Sequence, residues 1–283
     1  MGDVPRDVLE RLSRGQAETL NLMEWLAADM SVLASALATE VSLPALKRSL
    51  SKASTTMVGL GVTGRLAVAG RAIASAVPLQ DPDFLMISHH GSDLVRQWAA
   101  YAVNDARIQI SFEERLAATL PFASDSNMSV REAAWMSFRP HVARDPESAL
   151  VALAGIADGK DASQRRFAVE VCRPRSVWGA HLPVLKSKPA LAEGLLDKVR
   201  ADPSRYVQLA VGNWINDASK TNADWALALA SRWMNAPNAD TLRILRRGLR
   251  TLLAAGSGQP RDLFRPAWPN ELGLLSKQGR LSR

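Results

Sequence analysis

Cysteine, strand-forming patterns and long apolar runs are all scarce in this chain of 283 residues. Its single cysteine, Cys172, cannot form an intramolecular disulfide and is typical of a reducing compartment. Alternating Val, Ile and Thr runs with Asn-Gly turns are nearly absent, which argues against a β-rich fold. The most apolar stretch, 57–77, contains Arg65 and Arg71, so it makes a poor membrane helix. The N-terminal charges are not followed by an apolar run, so we expect no signal peptide, no membrane partner and a cytoplasmic location.

What the sequence does contain is a block that recurs about every 35 residues. In each copy a turn with Asp, Asn or Ser leads into an apolar helix that carries a charged or polar residue at one fixed place. The five copies align Arg96, Arg131, Arg166, Gln208 and Arg243. A period in this range predicts an all-α solenoid of helical pairs, because one pair cannot bury its apolar face alone. Such an array presents a long concave surface that suits a polymer.

The net charge of +7 is concentrated at one end of the chain. Residues 241–283 hold nine Lys or Arg and two acidic residues, so this segment carries +7 and the remainder is neutral. Four of these arginines have the spacing of one helix face, namely Arg243, Arg246, Arg247 and Arg250. Such a stripe is either a solvated helix surface or a phosphate-binding surface of the kind found in nucleic-acid-binding proteins.

Helical periodicity extends over most of the chain. Three early helices are predicted, over 18–37, 44–50 and 63–77. The repeat array is expected from residue 92 onward, and Pro140 is expected to end a repeat helix because proline cannot donate the next backbone hydrogen bond. The predicted organisation is one helical-repeat domain over 1–256, followed by a basic tail over 257–283.

Motifs of common enzymes are missing or lack the structural context that they need. Gly59, Gly61 and Gly64 match the dinucleotide-binding fingerprint by letter, but no apolar strand precedes them. We therefore expect a loop that opens a helix. His89 and His90 are adjacent and have no partners at ligand spacing, so the sequence predicts neither a metal site nor a cofactor.

Seven of the eight tryptophans divide into two groups. Four are expected in the core, namely Trp25, Trp98, Trp225 and Trp233. Three others lie near a carboxylate or a basic motif, namely Trp135, Trp178 and Trp214. Glu132 precedes Trp135 by three residues, and Asp217 follows Trp214 by three, so each pair shares a helix face. An aromatic ring beside a carboxylate can hold a flat cation. The alternative is that these acids offset nearby arginines, and spacing alone favours that alternative.

Four segments carry motifs in a fixed order along the chain. They are LSRGQAETLNLMEWLAADMSVL (12–33), RRFAVEVCRPRSVWGAHLPVLKSKP (165–189), YVQLAVGNWINDASKTNADW (206–225) and RILRRGLRTLLAAG (243–256). Together they resemble the HEAT-like DNA alkylation repair glycosylases of the AlkC/AlkD type, most closely the AlkC branch. The resemblance covers about 12–256 and implies a HEAT-like solenoid with a concave basic surface. Many AlkC proteins add a C-terminal immunoglobulin-like domain, which we do not expect in this chain.

The resemblance implies a hydrolase that excises cationic alkylpurines, such as 3-methyladenine and 7-methylguanine, from duplex DNA without base flipping, and we expect a monomer. A purine that is already cationic is a good leaving group, so the enzyme has to stabilise the positive charge on the sugar, for which a carboxylate is suited. The resemblance places Asp217 and Glu132 as these carboxylates, with Glu170 as the alternative to Glu132, and Trp178 against the sugar or base. The candidates for phosphate contacts are Arg175, Lys220, Arg243, Arg246, Arg247 and Arg250.

Two other functions stay open at this point. The chain could be a DNA-binding solenoid without catalysis, or a protein–protein scaffold, which is the common use of solenoids. The basic stripe argues against the scaffold, since peptide binding needs no phosphate-binding surface. Sequence spacing does not separate the first two functions, because it does not show whether the carboxylates converge.

Overall fold

The computed structural model describes residues 4–255, and within this range the chain contains α-helices, one short 3-10 helix and no strand. The all-α helical-repeat solenoid that the sequence predicts is confirmed. The predicted basic tail, 257–283, lies outside the described residues, as does Gly256 at the predicted domain boundary. The chain divides into two compact units, Met1–His141 and Val142–Arg283.

The N-terminal unit contains eight helices within its described part and the beginning of a ninth. They are α1 (Arg6–Ser13), α2 (Leu22–Ala27), α3 (Met30–Glu40), α4 (Pro44–Thr56), α5 (Val62–Ala74), α6 (Pro82–Ser88), α7 (Asp93–Val103), α8 (Phe112–Ala123) and α9 (Met128–Arg144). Helix α7 lies at the centre, packed against α5, α6 and α8. Most of its residues are buried, including Trp98, which has no exposed surface. The loop over Gly59 and Gly61 opens α5, as expected.

Helices α5 and α7 approach each other closely at Gly70. A Cβ atom at this position would lie 2.4 Å from the Cβ of Tyr101 and 2.7 Å from its backbone carbonyl carbon. No side-chain rotation relieves a contact with the backbone, so only glycine allows this spacing.

We expect Gly70→Ala to lower the free energy of unfolding by about 2–3 kcal/mol, because the two helices must separate to admit the methyl group. Gly64→Ala on the same helix is the matched control, since the nearest atom to its new Cβ is the Leu60 Cβ at 3.4 Å. This control should be neutral, or stabilising by up to about 1 kcal/mol, because alanine favours the helix. Urea unfolding followed by circular dichroism measures both, and equal stabilities for the two variants would contradict the packing argument.

The C-terminal unit is built around one long helix. Its elements are α10 (Pro146–Ala157), α11 (Ala162–Val171), α12 (Pro183–Ser187), the 3-10 helix Pro189–Ala192, α13 (Glu193–Lys198), α14 (Arg205–Ser219), α15 (Ala223–Trp233), α16 (Ala239–Gly248) and α17 (Arg250–Ala254). Helix α14 packs against α11, α15 and α16. Gly212 of α14 lies under the Arg247 side chain, and Gly248 of α16 lies against Ile215, so both contacts require glycine. Such close packing holds α14 firmly in place.

One hydrogen bond recurs in four copies of the repeat. In each, a polar side chain on the repeat helix donates to the carbonyl of the residue six positions earlier. The donors are Arg96, Arg131, Arg165 and Gln208. The predicted alignment of Arg166 with Arg96 and Arg131 is therefore wrong by one residue, because Arg165 makes the equivalent bond. Arg166 instead lies over the ring of Tyr206, with its Cζ 4.5 Å from the ring centroid.

Ion pairs tie successive repeats together within each unit. Arg96 donates two hydrogen bonds to Asp125, which precedes the next repeat helix, and Arg165 does the same to Asp202. These bidentate contacts are largely buried, with 12% of the Arg165 side chain and 3% of the Asp202 side chain exposed. They fix the orientation of one repeat against the next.

Several helix boundaries differ from the sequence-based expectation, and the helix predicted over 44–50 continues to Thr56. The single helix expected over 18–37 is two helices, because the Asp29 side chain accepts hydrogen bonds from the backbone of Ser31 and Val32 and starts a new helix there. Helix α9 continues through Pro140 instead of ending at it. Phe138 and His141 are both buried on either side of this proline, and their packing outweighs the single hydrogen bond that it removes.

The tryptophan predictions are largely confirmed. Trp25, Trp98 and Trp233 are buried, whereas Trp225 is half-buried with its ring centroid 5.7 Å from that of Trp214. Trp214 itself is wholly buried, and its indole N–H donates to the Cys172 carbonyl. Trp214 is therefore a core residue and does not present a ring beside Asp217 to a ligand.

Candidate functional site

Asp217 lies near the C-terminal end of α14, with 4% of its side chain exposed. Its Oδ2 accepts hydrogen bonds from both Nε and Nη2 of Arg173, at 3.0 and 2.7 Å. The same guanidinium donates through Nη1 to Glu170. Burial lowers the pKa of Arg173, but the carboxylates of Glu170 and Asp217 outweigh burial, so that the pKa is raised. Arg173 is thus a half-buried cation shared by two buried acids, and sequence reasoning did not single it out.

The loop after α11 is fastened to α14 by two arginines. Arg173 binds the Asp217 carboxylate, and Arg175 donates from Nε to the Asp217 carbonyl at 3.2 Å. Pro174 between them is buried, and its carbonyl accepts from the backbone of Leu182. The loop that carries Trp178 is therefore held at its base.

Trp178 is half-buried within this loop. Its backbone N–H donates to the Ser176 hydroxyl at 3.2 Å. The preceding residue, Val177, is 87% exposed, which places it at the surface of the loop. Trp178 is thus a half-buried residue whose backbone is held by a local hydrogen bond.

Lys220 follows α14 and has 40% of its side chain exposed. Its Nζ lies 3.4 Å from Oδ1 of Asp217, which is a long contact compared with those of Arg173. A partly exposed lysine with such a loose contact can swing to another anion at little cost. Oδ1 is therefore the more loosely held of the two Asp217 oxygens.

Three polar residues of α14 share one face and organise the next repeat. Asn213 accepts from Nε of Arg247, and Asn216 accepts from the backbone N–H and hydroxyl of Thr251. With Asp217 they occupy positions i, i+3 and i+4. The spacing Asn-x-x-Asn-Asp is visible in the sequence and could have indicated the two asparagines, which sequence reasoning missed.

The four arginines of the basic stripe do not lie on one helix. Helix α16 ends at Gly248, and Arg250 begins α17 after a break at Leu249. Arg247 and Arg250 extend toward the Asp217 end of α14, whereas Arg243 pairs with Asp240 at 2.9 Å and is exposed. Arg246 is exposed on α16. The prediction of one helix carrying all four arginines is wrong, because α16 ends at Gly248 and Arg250 belongs to α17.

Positive charge accumulates around Asp217. Partial burial lowers the pKa of Arg250, and the charge of Arg247 lowers it further while Asp217 opposes the effect. We use the name Asp217 cluster for Glu170, Arg173, Arg175, Asp217, Lys220, Arg247 and Arg250. These seven side chains carry a net charge of +3, with both acids inside and the more exposed cations outside. The arrangement can accept an anion at the surface while it keeps an oriented carboxylate beneath.

Glu132 lies on α9 within the N-terminal unit and is half-buried. Its Oε2 accepts a hydrogen bond from the indole N–H of Trp135 at 2.7 Å. Trp135 is buried, so it orients the carboxylate through the N–H and does not offer a ring face to a ligand. Glu170, the alternative acid, has 7% of its side chain exposed and pairs with Arg173. Glu132 is the more accessible of the two acids.

No group of three or more His, Cys, Asp or Glu within residues 4–255 is arranged to hold a metal ion. Over the same range, every helix is too short or too polar to cross a membrane.

Comparisons with known proteins show which solved structure has a similar fold. No protein-family model matches the chain. The uncharacterized protein YhaZ of Bacillus subtilis (strain 168) is 36% identical over 127 residues, which are 44% of this chain and 35% of YhaZ. The solved structure of Pseudomonas fluorescens alkylpurine DNA glycosylase AlkC, bound to DNA containing an abasic site analog, matches with a TM-score of 0.67 and 21% identity. That match covers 91% of this chain and 66% of AlkC, and at this identity it shows the fold.

Proposed function

The chain has the HEAT-like fold of the AlkC/AlkD superfamily, and from this premise we propose that it is a DNA repair glycosylase for cationic alkylpurines. The proposed partner is alkylated duplex DNA, bound by a monomer without base flipping. The observation that carries the proposal is the Asp217 cluster, in which an oriented carboxylate lies beneath a surface of excess positive charge. DNA phosphates and a sugar that develops positive charge need these two features together.

In the proposed reaction the C1′–N bond of the alkylated nucleotide breaks, and its electron pair leaves with the purine and neutralises the purine's charge. Water then adds to C1′, and the proton that it releases passes to solvent. Arg173 holds Oδ2 of Asp217, so Oδ1 can face the cationic sugar once Lys220 moves to a phosphate. A carboxylate held in advance stabilises the developing charge without reorganisation.

Two further residues are proposed to act on the substrate. Trp178 would lie against the sugar or the cationic base, since an indole ring attracts a nearby cation. Glu132 is proposed as the second carboxylate, because it is more exposed than Glu170 and its orientation is fixed by Trp135. If Glu170 served instead, Glu170→Gln would reduce excision and Glu132→Gln would leave it unchanged.

The proposed phosphate contacts come from exposed or half-buried cations of the C-terminal unit, namely Arg175, Lys220, Arg243, Arg246, Arg247 and Arg250. Arg175 and Arg247 also have structural bonds, to the Asp217 carbonyl and to Asn213. Arg243 pairs only through a partly exposed contact with Asp240, so we expect Arg243→Ala to weaken DNA binding with a small effect on stability.

Release of free 7-methylguanine and 3-methyladenine from methylated duplex DNA, quantified by mass spectrometry, tests the proposed activity. Excision above the rate of spontaneous depurination supports a glycosylase. Retained duplex binding without any release would instead favour a non-catalytic DNA-binding protein. One observation favours that second candidate: Asp217 is almost wholly buried and paired, as a counter-ion for Arg173 would be. Absence of duplex binding would leave the protein–protein scaffold.

For Trp178→Ala we expect excision to fall about tenfold to thirtyfold, which corresponds to the loss of a partly desolvated cation–π contact. Trp178→Phe keeps a π face and should retain most of the activity. Val177→Ala is the matched control, because the neighbouring side chain is 87% exposed and belongs to the same loop. Single-turnover rates on methylated duplex measure all three. Equal losses for Trp178→Phe and Trp178→Ala would argue against a contact through the ring face.

A further inference from the structure

A forty-residue stretch of the N-terminal unit has no acidic side chain. Between Glu40 and Asp81 there is no Asp or Glu, while the same stretch contains five basic residues, namely Lys47, Arg48, Lys52, Arg65 and Arg71. Neutrality of the chain outside its C-terminal segment conceals this local excess of +5. The stretch forms α4 and α5, which pack against each other.

A cavity of about 310 Å³ lies between these two helices. Its basic lining comes from Lys52 on α4, Arg71 on α5, and Arg107 in the turn after α7. Ser49, Thr56 and Ser75 also line it, and the hydroxyls of Thr56 and Ser75 donate to the carbonyls of Lys52 and Ala72. Three cations around one small space form the charged donor set that a tetrahedral oxyanion uses.

The cations at the cavity are only partly offset within the unit. Asp105 lies 3.8 Å from Arg71 and 3.6 Å from Arg107, which are long contacts for ion pairs, and its side chain is 11% exposed. Arg71 and Arg107 remain 64% and 49% exposed. One acid against three cations leaves a net charge of +2, and the exposed guanidinium groups can turn toward an anion without a large desolvation cost.

We propose that this cavity binds one phosphate group, either a phosphodiester of a nucleic-acid strand or a free phosphate anion. Lys52 supplies a point charge, and the two arginines supply paired N–H donors to the phosphate oxygens. The site lies in the unit that does not contain Asp217, and it does not depend on glycosidic cleavage. Its failure and the failure of the proposed glycosylase activity are therefore separate results.

The test uses the full chain with Lys52→Ala/Arg71→Ala as the site variant. Lys47→Ala/Arg48→Ala is the matched control, because it removes the same charge from exposed positions of α4 outside the cavity. Binding of an undamaged duplex oligonucleotide is measured by fluorescence anisotropy at several salt concentrations. For a strand phosphate, the site variant should bind about tenfold more weakly and lose about one from the slope of log K against log salt. The control should change the slope much less.

Inorganic phosphate is the second probe, with the shift of the thermal unfolding midpoint as the readout. Stabilisation of the wild type and control by millimolar phosphate, absent in the site variant, with unchanged duplex binding, would identify a free phosphate anion as the source. Equal duplex binding and equal phosphate stabilisation for wild type, control and site variant would overturn the proposal. Circular dichroism of each variant verifies that the helices are intact, and Lys52→Gln/Arg71→Gln provides a second site variant if the first unfolds.

Discussion

Asp217→Asn is expected to lower the rate of 7-methylguanine release by a factor of about 10²–10³, the range that the loss of one fixed electrostatic contact to a transition state produces. The substitution preserves shape and removes the negative charge that we propose faces the sugar. Duplex binding should fall much less, because the phosphate contacts belong to other side chains. Single-turnover excision and anisotropy on the same preparations separate the two effects.

Asp202→Asn is the matched control for Asp217→Asn. Asp202 is also a buried aspartate that accepts two hydrogen bonds from an arginine of the same unit, Arg165. Both variants lose a buried ion pair, so both should lose stability. If Asp217→Asn and Asp202→Asn reduced excision equally at a temperature where each is folded, Asp217 would be a structural counter-ion and the catalytic assignment would fail.

Arg173→Gln is expected to lower the free energy of unfolding by about 3–5 kcal/mol, because it leaves two buried carboxylates without their shared cation. Glu170 and Asp217 have 7% and 4% of their side chains exposed, so water cannot replace the guanidinium. Arg173→Lys should recover part of the loss, since one ammonium cannot bind both acids as the planar guanidinium does. Chemical denaturation of the wild type and the two variants measures the order of their stabilities.

Arg232→Gln is the control for the loss of an arginine ion pair in the same unit. Arg232 pairs with Glu193 at 2.6 Å, but 50% of its side chain is exposed, so we expect a change below about 1 kcal/mol. A similarly small change in the free energy of unfolding for Arg173→Gln would contradict the stabilising role of its ion pairs with Glu170 and Asp217. A double-mutant cycle of Arg173→Gln with Asp217→Asn should give a large coupling energy, since the two side chains are in direct contact.

Much of the fold could be predicted from local patterns. The period of about 35 residues and the helical distribution of apolar residues indicated a stack of helical pairs, because burial of an apolar helix face requires a neighbour of the same kind. The loop over Gly59 and Gly61 and the burial of Trp98 followed from the same reasoning. Where local rules failed, at Pro140 and at Arg166, packing against distant residues outweighed the preference of the segment itself.

Only part of the candidate site could be predicted from the sequence. The resemblance directed attention to Asp217 and Trp178 but not to Arg173, whose importance depends on meeting two acids that are three and forty-four residues away. The spacing of the four arginines predicted one helix face, whereas a break at Leu249 directs Arg250 into a separate helix. Neither the ion pairs of Arg173 nor the helix break at Leu249 has a local sequence pattern, because both depend on how α14 packs.

The sequence by itself determined the class of fold, the helical repeat and the excess of positive charge, since each depends on residue type and spacing along the chain. The tertiary structure decided which charges meet. It placed Arg173 between Glu170 and Asp217, buried Trp214 in the core, and gathered Lys52, Arg71 and Arg107 around one cavity. Contacts between residues far apart in sequence arise from the stacking of helices, and the free energy of that stacking belongs to the folded unit and not to any one segment.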